Sequence, residues 1–174
     1  MNSGTLSAVD MSQERVLSQS LTLVPLSPDY SQQLSKLSVA PEQLKFVGTM
    51  EEILCCVTPS VEPHVIVVDE QVIGLFLIDT RYSEEYRFCQ AKALGFRAFF
   101  IDQQFQGRGY GKQAMQALKD YLQSHYTEFS QVYLTVNCQN LAAYQLYRKV
   151  GFNDSGELYY GGAAGPQHIL SLKW

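Results

Sequence analysis

The chain has no surplus of basic residues. Thirteen lysines and arginines stand against seventeen acids, a formal net charge of −4, and this excludes a general nucleic-acid binder, which carries a basic excess. A weakly negative field suits cationic small substrates better than anionic ones. Long apolar runs are also missing: no stretch approaches the roughly 18 residues of a membrane-spanning helix. The four cysteines, Cys55, Cys56, Cys89 and Cys138, show neither CxxC nor Cys/His spacing, so neither a metal site nor a disulfide framework is expected. Adjacent Cys55 and Cys56, on a helical stretch, read as small buried hydrophobes. The first residues lack a basic region followed by an apolar stretch, so no secretion signal is expected, and the setting read from this is cytoplasmic and reducing.

What is present is enough apolar material for one core. With 46% hydrophobic residues in 174, the chain suits a single compact domain over residues 19–174, preceded by a polar Ser/Gln-rich arm over residues 1–18. The pattern predicts a strand over 21–26, helices over 29–37 and 41–57, and a tight hairpin of 65–68 with 72–78. Residues 79–92 read as a loop. A strand over 93–101, apolar on both faces and so central, precedes a helix over 109–125, a strand over 132–136 and a helix over 140–150. Segments 157–160 and 168–172 read as a closing hairpin, and the class is mixed α/β.

Gln106-Gly107-Arg108-Gly109-Tyr110-Gly111-Lys112 lies where the central strand gives way to a helix. A helix N-terminus carries unsatisfied N–H groups and the positive end of the macrodipole, which suits a phosphate or pyrophosphate. Glycines let the backbone come close to the anion, and Arg108 and Lys112 add positive charge. A tight strand-to-helix turn without ligand is the alternative. The spacing is neither that of a P-loop, since Gln113 follows Lys112, nor the G-x-G-x-x-G of a dinucleotide fold, so nucleotide hydrolysis and hydride transfer are weak candidates.

Asn140-x-x-Ala143-x-x-Leu146-Tyr147-x-Lys149-x-Gly151-Phe152 forms a second constellation. On a helix, Asn140, Ala143 and Tyr147 share one face. They either line a site, or Ala143 and Tyr147 are core and Asn140 is an N-cap.

Together the two motifs resemble the GNAT N-acetyltransferase superfamily, which uses acetyl-coenzyme A. Gln106-x-x-Gly109-x-Gly111 matches its pyrophosphate loop, and Asn140 to Phe152 matches its later helix. The resemblance spans roughly residues 20–174. It implies a mostly antiparallel twisted sheet of about seven strands, splayed between the fourth and fifth, with about four flanking helices. Glu42-Gln43-x-x-Phe46-Val47 and the segment Ile101 to Lys112 further look like the bacterial diamine or spermine/spermidine acetyltransferase branch. Phe105 and Arg108 stand where that branch has Tyr and Lys, Ala98-Phe99 where it often has Arg-Phe, and His168 where an acid is frequent.

By resemblance, a neutral amine attacks the acetyl thioester directly, and Tyr147 is the general acid for the leaving thiolate. Phe99, Phe100 and Ile101 hold the pantetheine arm, and Gln106, Gly107, Arg108, Gly109, Tyr110, Gly111 and Lys112 hold the pyrophosphate. Asn137, Asn140, Ala143, Tyr144 and Lys149 complete the coenzyme surface. The base is not evident, because the strand 93–101 contains no acid. Asp102, just beyond it, is a candidate base or a cap of the loop. Glu84 and Glu85 would attract a cationic acceptor, or belong to a solvated loop. Tyr133 and His168 are candidates for the acceptor pocket, whereas His64 and His125 read as surface or strand-end residues. The expected acceptor is a small primary amine, with di- and polyamines first, then a protein N-terminus or drug-like amine. A coenzyme-binding sensor without turnover is the non-enzymatic alternative. A homodimer is compatible with the apolar late strands, while neither nucleic acid nor membrane is expected as a partner.

Overall fold

The computed structural model describes residues 19–174, so the arm over residues 1–18 lies outside the described residues. Seven strands form one sheet: β1 Leu21–Pro25, β2 Val61–Val68, β3 Gln71–Asp79, β4 Leu94–Ile101, β5 Gln131–Asn137, β6 Asn153–Tyr159 and β7 Gln167–Lys173. Their order is β1-β2-β3-β4-β5-β7-β6. Every neighbouring pair is antiparallel except β4 with β5, which run parallel. That pair is in register only at Leu94 with Val132 and Gly95 with Tyr133. Beyond these positions the two strands diverge, and their facing edges are left without a ladder partner.

The helices are α1 Ser31–Leu34, α2 Leu44–Val47, α3 Met50–Cys55, α4 Tyr82–Glu85, α5 Tyr110–His125 and α6 Leu141–Lys149. The helix expected over 41–57 is interrupted. Gly48, at φ 86, turns the chain out of α2, and Thr49 starts α3 with a reciprocal capping box to Glu52. A glycine tolerates that conformation, and the new cap satisfies the freed N–H groups, so two short helices replace one long one. The supposed loop over 79–92 contains the single turn α4. The β2–β3 turn, Asp69-Glu70, has φ of 48 and 65 at its two central residues, the left-handed pair that matches the twist of a two-residue hairpin.

Two apolar layers sandwich the sheet. On one side α5 sets Ala114, Met115, Leu118 and Leu122 against Ile66, Phe76, Phe96 and Leu134. On the other, α1 and α3 with the intervening chain set Leu34, Leu37, Val39 and Ile53 against Val65, Leu75 and Phe100. Full burial of a leucine or isoleucine stabilises by about 1.5–3 kcal/mol, so these stripes dominate the fold's energetics. Among the described residues, no helix is long and apolar enough to cross a membrane.

Two expectations are corrected here. Cys55 and Cys56 are exposed, not buried, because α3 sends Ile53 inward and ends at Cys55. His64 is not a surface residue: it is 2% exposed, stacked on Phe76 and flanked by Tyr121 and Tyr126. Its Nδ1 lies 2.6 Å from the Tyr121 hydroxyl and its Nε2 2.9 Å from that of Tyr126. Tyr126 in turn donates to the Glu62 carboxylate. Since the carboxylate only accepts, Tyr126 receives the Nε2–H and Tyr121 donates to Nδ1, which fixes the neutral tautomer. His125 is exposed at the end of α5, as expected.

Candidate active site

A cleft of about 500 Å³ opens where β4 and β5 part. This is within the range of small-molecule sites. Its floor is shaped by a bulge in β4. Leu75 pairs with Phe100 and Leu77 with Arg97, so Phe76 alone faces both Ala98 and Phe99. The extra residue is accommodated at Ala98, which adopts φ 55, a left-handed conformation that costs a non-glycine residue about 1–2 kcal/mol. A bulge of this kind turns backbone away from the ladder and towards whatever lies beside the strand.

At one end of the cleft the chain rises from β4 through the turn Gln103–Phe105 into the glycine loop and α5. Gly107 and Gly109 have φ of 75 and 82, and a Cβ on either would meet open space. The loop is left-handed, therefore, and uncovered. Gly109 is the N-cap of α5, and no side chain caps that helix. A sixteen-residue helix thus presents its first N–H groups, with the positive end of its dipole, to the cleft. Gln106 anchors the loop by donating to the Ile101 carbonyl and to the Gln43 side chain, both at 3.0 Å. Gln43, Phe46 and Val47 consequently form part of the cleft wall. These features fit a pyrophosphate-bearing ligand. Arg108 and Lys112 are exposed beside the loop, Arg108 donating to the Gln104 carbonyl.

Across the cleft stands α6. Asn140 caps it by accepting from the Ala143 N–H at 3.3 Å, and Asn140, Ala143 and Tyr147 all line the cleft. Tyr147 is 7% exposed, among Phe96, Phe99 and Phe152. Burial pushes its phenol well above the ordinary range, so it is a proton donor throughout neutral pH. No hydrogen bond among the described residues engages its hydroxyl. Asn137 also lines the cleft, its side chain donating to the Ala164 carbonyl and accepting from Gln139 N–H.

The structure gives Asp102 the second of its two expected roles. It is 3% exposed, and its oxygens accept N–H bonds from Ser38 at 2.7 Å and Gln104 at 2.8 Å. It ties the loop to the chain after α1 and is not among the residues that line the cleft. Glu84 pairs with Arg81 at 2.6 Å on the surface, and neither it nor Glu85 lines the cleft. Tyr133 is buried against Phe88 and does not line the cleft. His168 faces α6, its ring 4.5 Å from that of Tyr144 and tilted to it, and 3.6 Å from Asp154. Tyr144 donates to the same Asp154 carboxylate, and neither Tyr144 nor the exposed Lys149 forms part of the wall.

The rest of the cleft wall, away from the glycine loop, includes residues that sequence reasoning missed: Tyr82, Tyr86, Arg97, Thr135, Tyr159 and Gln167. Among the described residues of the wall there is no carboxylate, and Arg97 is the single charged side chain. One signal was available, since Arg97 is the lone charge in an otherwise apolar central strand, where charges are rarely buried without purpose.

Comparison with known proteins agrees with this geometry. The Acetyltransferase (GNAT) family model matches residues 28–152. A spermine/spermidine N(1)-acetyltransferase of Bacillus subtilis is 39% identical over 64 residues, 37% of this chain and 41% of that protein. The matched stretch is thus under half of that relative. An uncharacterized N-acetyltransferase, YbbJ, of the same organism is 25% identical over 157 residues, 88% of this chain and 98% of the relative. Among solved structures, an aminoglycoside acetyltransferase AAC(6')-Ib in complex with coenzyme A has a TM-score of 0.68 at 19% identity, covering 88% of this chain and 95% of that one. A chimera of the spermidine N-acetyltransferase SpeG from Vibrio cholerae and hSSAT has a TM-score of 0.64 at 18% identity, with 88% and 95% covered. With a family match over most of its length, a seven-stranded sheet parted between β4 and β5, and an uncapped glycine-led helix at the parting, the chain belongs to the GNAT acetyltransferase family.

Proposed function

We propose that the protein transfers an acetyl group from acetyl-coenzyme A to a primary amine of a small acceptor by direct attack. The observation that carries this reading is the meeting, in one cleft, of the uncapped N-terminus of α5 and the unpartnered side chain of Tyr147. The coenzyme supplies an acetyl group activated as a thioester. Gly107 to Gly111 receive its pyrophosphate through backbone N–H groups, with Arg108 and Lys112 as charge support. The edges of β4 and β5 left without partners receive its amide arm, with Asn137 and Asn140 alongside. The acceptor sheds its ammonium proton to water in the cleft, and its nitrogen lone pair forms the new bond to the carbonyl carbon. Backbone N–H groups at the Ala98–Phe99 bulge face the charge that develops on the carbonyl oxygen. Tyr147 gives its proton to the departing sulfur as the carbon–sulfur bond breaks, and the second proton, lost by the acylated nitrogen as the amide forms, returns to Tyr147 through water. Its raised pKa keeps Tyr147 protonated at neutral pH, and its position against the sulfur, not its acidity, drives the transfer.

The similarity to the spermine/spermidine acetyltransferase supports a di- or polyamine acceptor. The cleft favours a second reading, an amine with a single positive charge, because its wall offers Arg97 and no carboxylate. Incubation of the purified protein with acetyl-coenzyme A and an amine panel, with products identified by mass spectrometry, tests the reaction. Acetylated amine in step with free coenzyme is the expected result, and free coenzyme without acetylated amine would refute it.

A further inference from the structure

The charged inventory of the cleft wall is unusual for a site meant for polycations. Arg97 projects from β4, and its Nη1 donates to Asp79 at 2.9 Å. Asp79 is fully buried, and its other oxygen accepts from the Arg81 N–H. The carboxylate is therefore spent inside the protein. The guanidinium is not: 34% of the Arg97 side chain is exposed, and its other terminal nitrogen makes one long contact, 3.3 Å to the Tyr86 hydroxyl. A guanidinium has five N–H donors, so three remain for a ligand.

The surroundings of Arg97 are aromatic. Tyr82 lies flat over Gly95, where a Cβ would fall 2.2 Å from its ring. Tyr86 lies against Tyr82 at 4.3 Å between centroids, the rings tilted by 33°, and Tyr159 meets Tyr86 edge-on at 5.5 Å. The Arg97 guanidinium sits 5.8 Å from the Tyr82 ring. A more open hollow that Arg97 also lines holds Arg81 and Glu85; Arg81 is bridged to Glu84, and Glu85 is not part of the cleft wall. A second ammonium entering the cleft would thus meet a guanidinium and rings and would lose water without gaining a carboxylate.

We infer that the acceptor is a primary amine with a flat or apolar body and an anionic group, a carboxylate or its like, in which the body lies on Tyr86 and Tyr159 and the anion pairs with Arg97. Arg97 is then the specificity-determining residue of the site. This rests on the proposal of amine acetylation above. The carboxylate end of such an acceptor provides the counter-charge that keeps it bound.

Three amines of one shape separate the possibilities: 4-(aminomethyl)benzoate, benzylamine and 1,4-bis(aminomethyl)benzene. Each offers the same benzylic nitrogen, and they differ at the far end as an anion, nothing and a cation. Release of free thiol from acetyl-coenzyme A by the wild-type protein should rank them in that order by kcat/KM. The acid should exceed the diamine by at least about tenfold, the scale of one hydrogen-bonded charge pair. Removing Arg97 alone leaves Asp79 buried and unpaired, so the matched variant is Asp79→Asn with Arg97→Gln, which keeps the pair neutral. It should lose the acid about tenfold more than it loses benzylamine. If that variant does not fold, the wild-type ranking still decides. Equal use of all three, a preference for the diamine, or turnover of putrescine and spermidine only would overturn the inference and leave acetyl transfer standing. Coenzyme binding with no thiol release on any amine would overturn the acetyl-transfer proposal itself.

Discussion

Arg97 and Asp79 face each other across β4 and β3, the guanidinium half in the cleft and the carboxylate wholly inside the sheet. Breaking such a pair from one side strands a buried charge, which costs about 3–5 kcal/mol. Arg97→Ala is therefore expected to lower the denaturation midpoint sharply, and Asp79→Asn with Arg97→Gln to recover most of that loss. Urea unfolding of the three proteins measures this. A single variant as stable as wild type would show that Asp79 is compensated elsewhere.

His64 makes stability depend on pH. Burial, with the charge of His125 adding, lowers its pKa from 6.5 to about 4. The unfolded chain takes up the proton first, so the contribution is complete above the unfolded pKa and is lost as pH falls from about 6.5 towards 4. The loss is of order 3 kcal/mol. Thermal unfolding across that interval should show the decline, and His64→Gln should flatten it whatever its own stability. An unchanged slope in the variant would assign the decline to other groups.

Tyr147→Phe keeps the ring among Phe96, Phe99 and Phe152 and removes the proton donor. We expect kcat to drop about 10²–10⁴-fold, the range for a positioned acid, with coenzyme affinity nearly unchanged. Steady-state kinetics beside calorimetric coenzyme binding separates the two effects. An unchanged kcat would remove Tyr147 from the chemistry.

Gly109→Ala tests the loop. Its Cβ would meet nothing, so the cost is conformational, about 1–2 kcal/mol for a left-handed φ. Any relaxation of that φ also moves the first N–H groups of α5. Coenzyme affinity should fall with stability. A variant that binds coenzyme as wild type does would place the anion elsewhere.

The parts legible in the sequence were those whose chemistry is local. The glycine turn before α5 and the face of α6 from Asn140 to Tyr147 are each written in a dozen consecutive residues, and the parting of β4 from β5 came with the family resemblance they carry. The cleft wall away from the glycine loop was not legible, because Tyr82, Arg97 and Tyr159 come from α4, β4 and β6 and meet only when the sheet is assembled. Glu84 and Glu85 stand out in the sequence by their charge, and His168 by its place where the resembling branch often has an acid. Folding sends the two acids to the surface outside the wall and turns the histidine to the α6 side of the sheet. His64 was misread because a lone histidine in a strand gives no hint of the two tyrosines that α5 and the turn after it bring over it. The break at Gly48-Thr49 was written in the sequence, since Thr49 and Glu52 form a capping box, but helical periodicity on both sides concealed it.

The most direct test is thiol release from acetyl-coenzyme A by the wild-type protein, with and without amine. We predict release that depends on the amine and collapses in Tyr147→Phe. Tight coenzyme binding with no amine-dependent release, across polyamines, amino acids, aminoglycosides and short peptides, would contradict the account and mark the protein as a coenzyme-binding sensor.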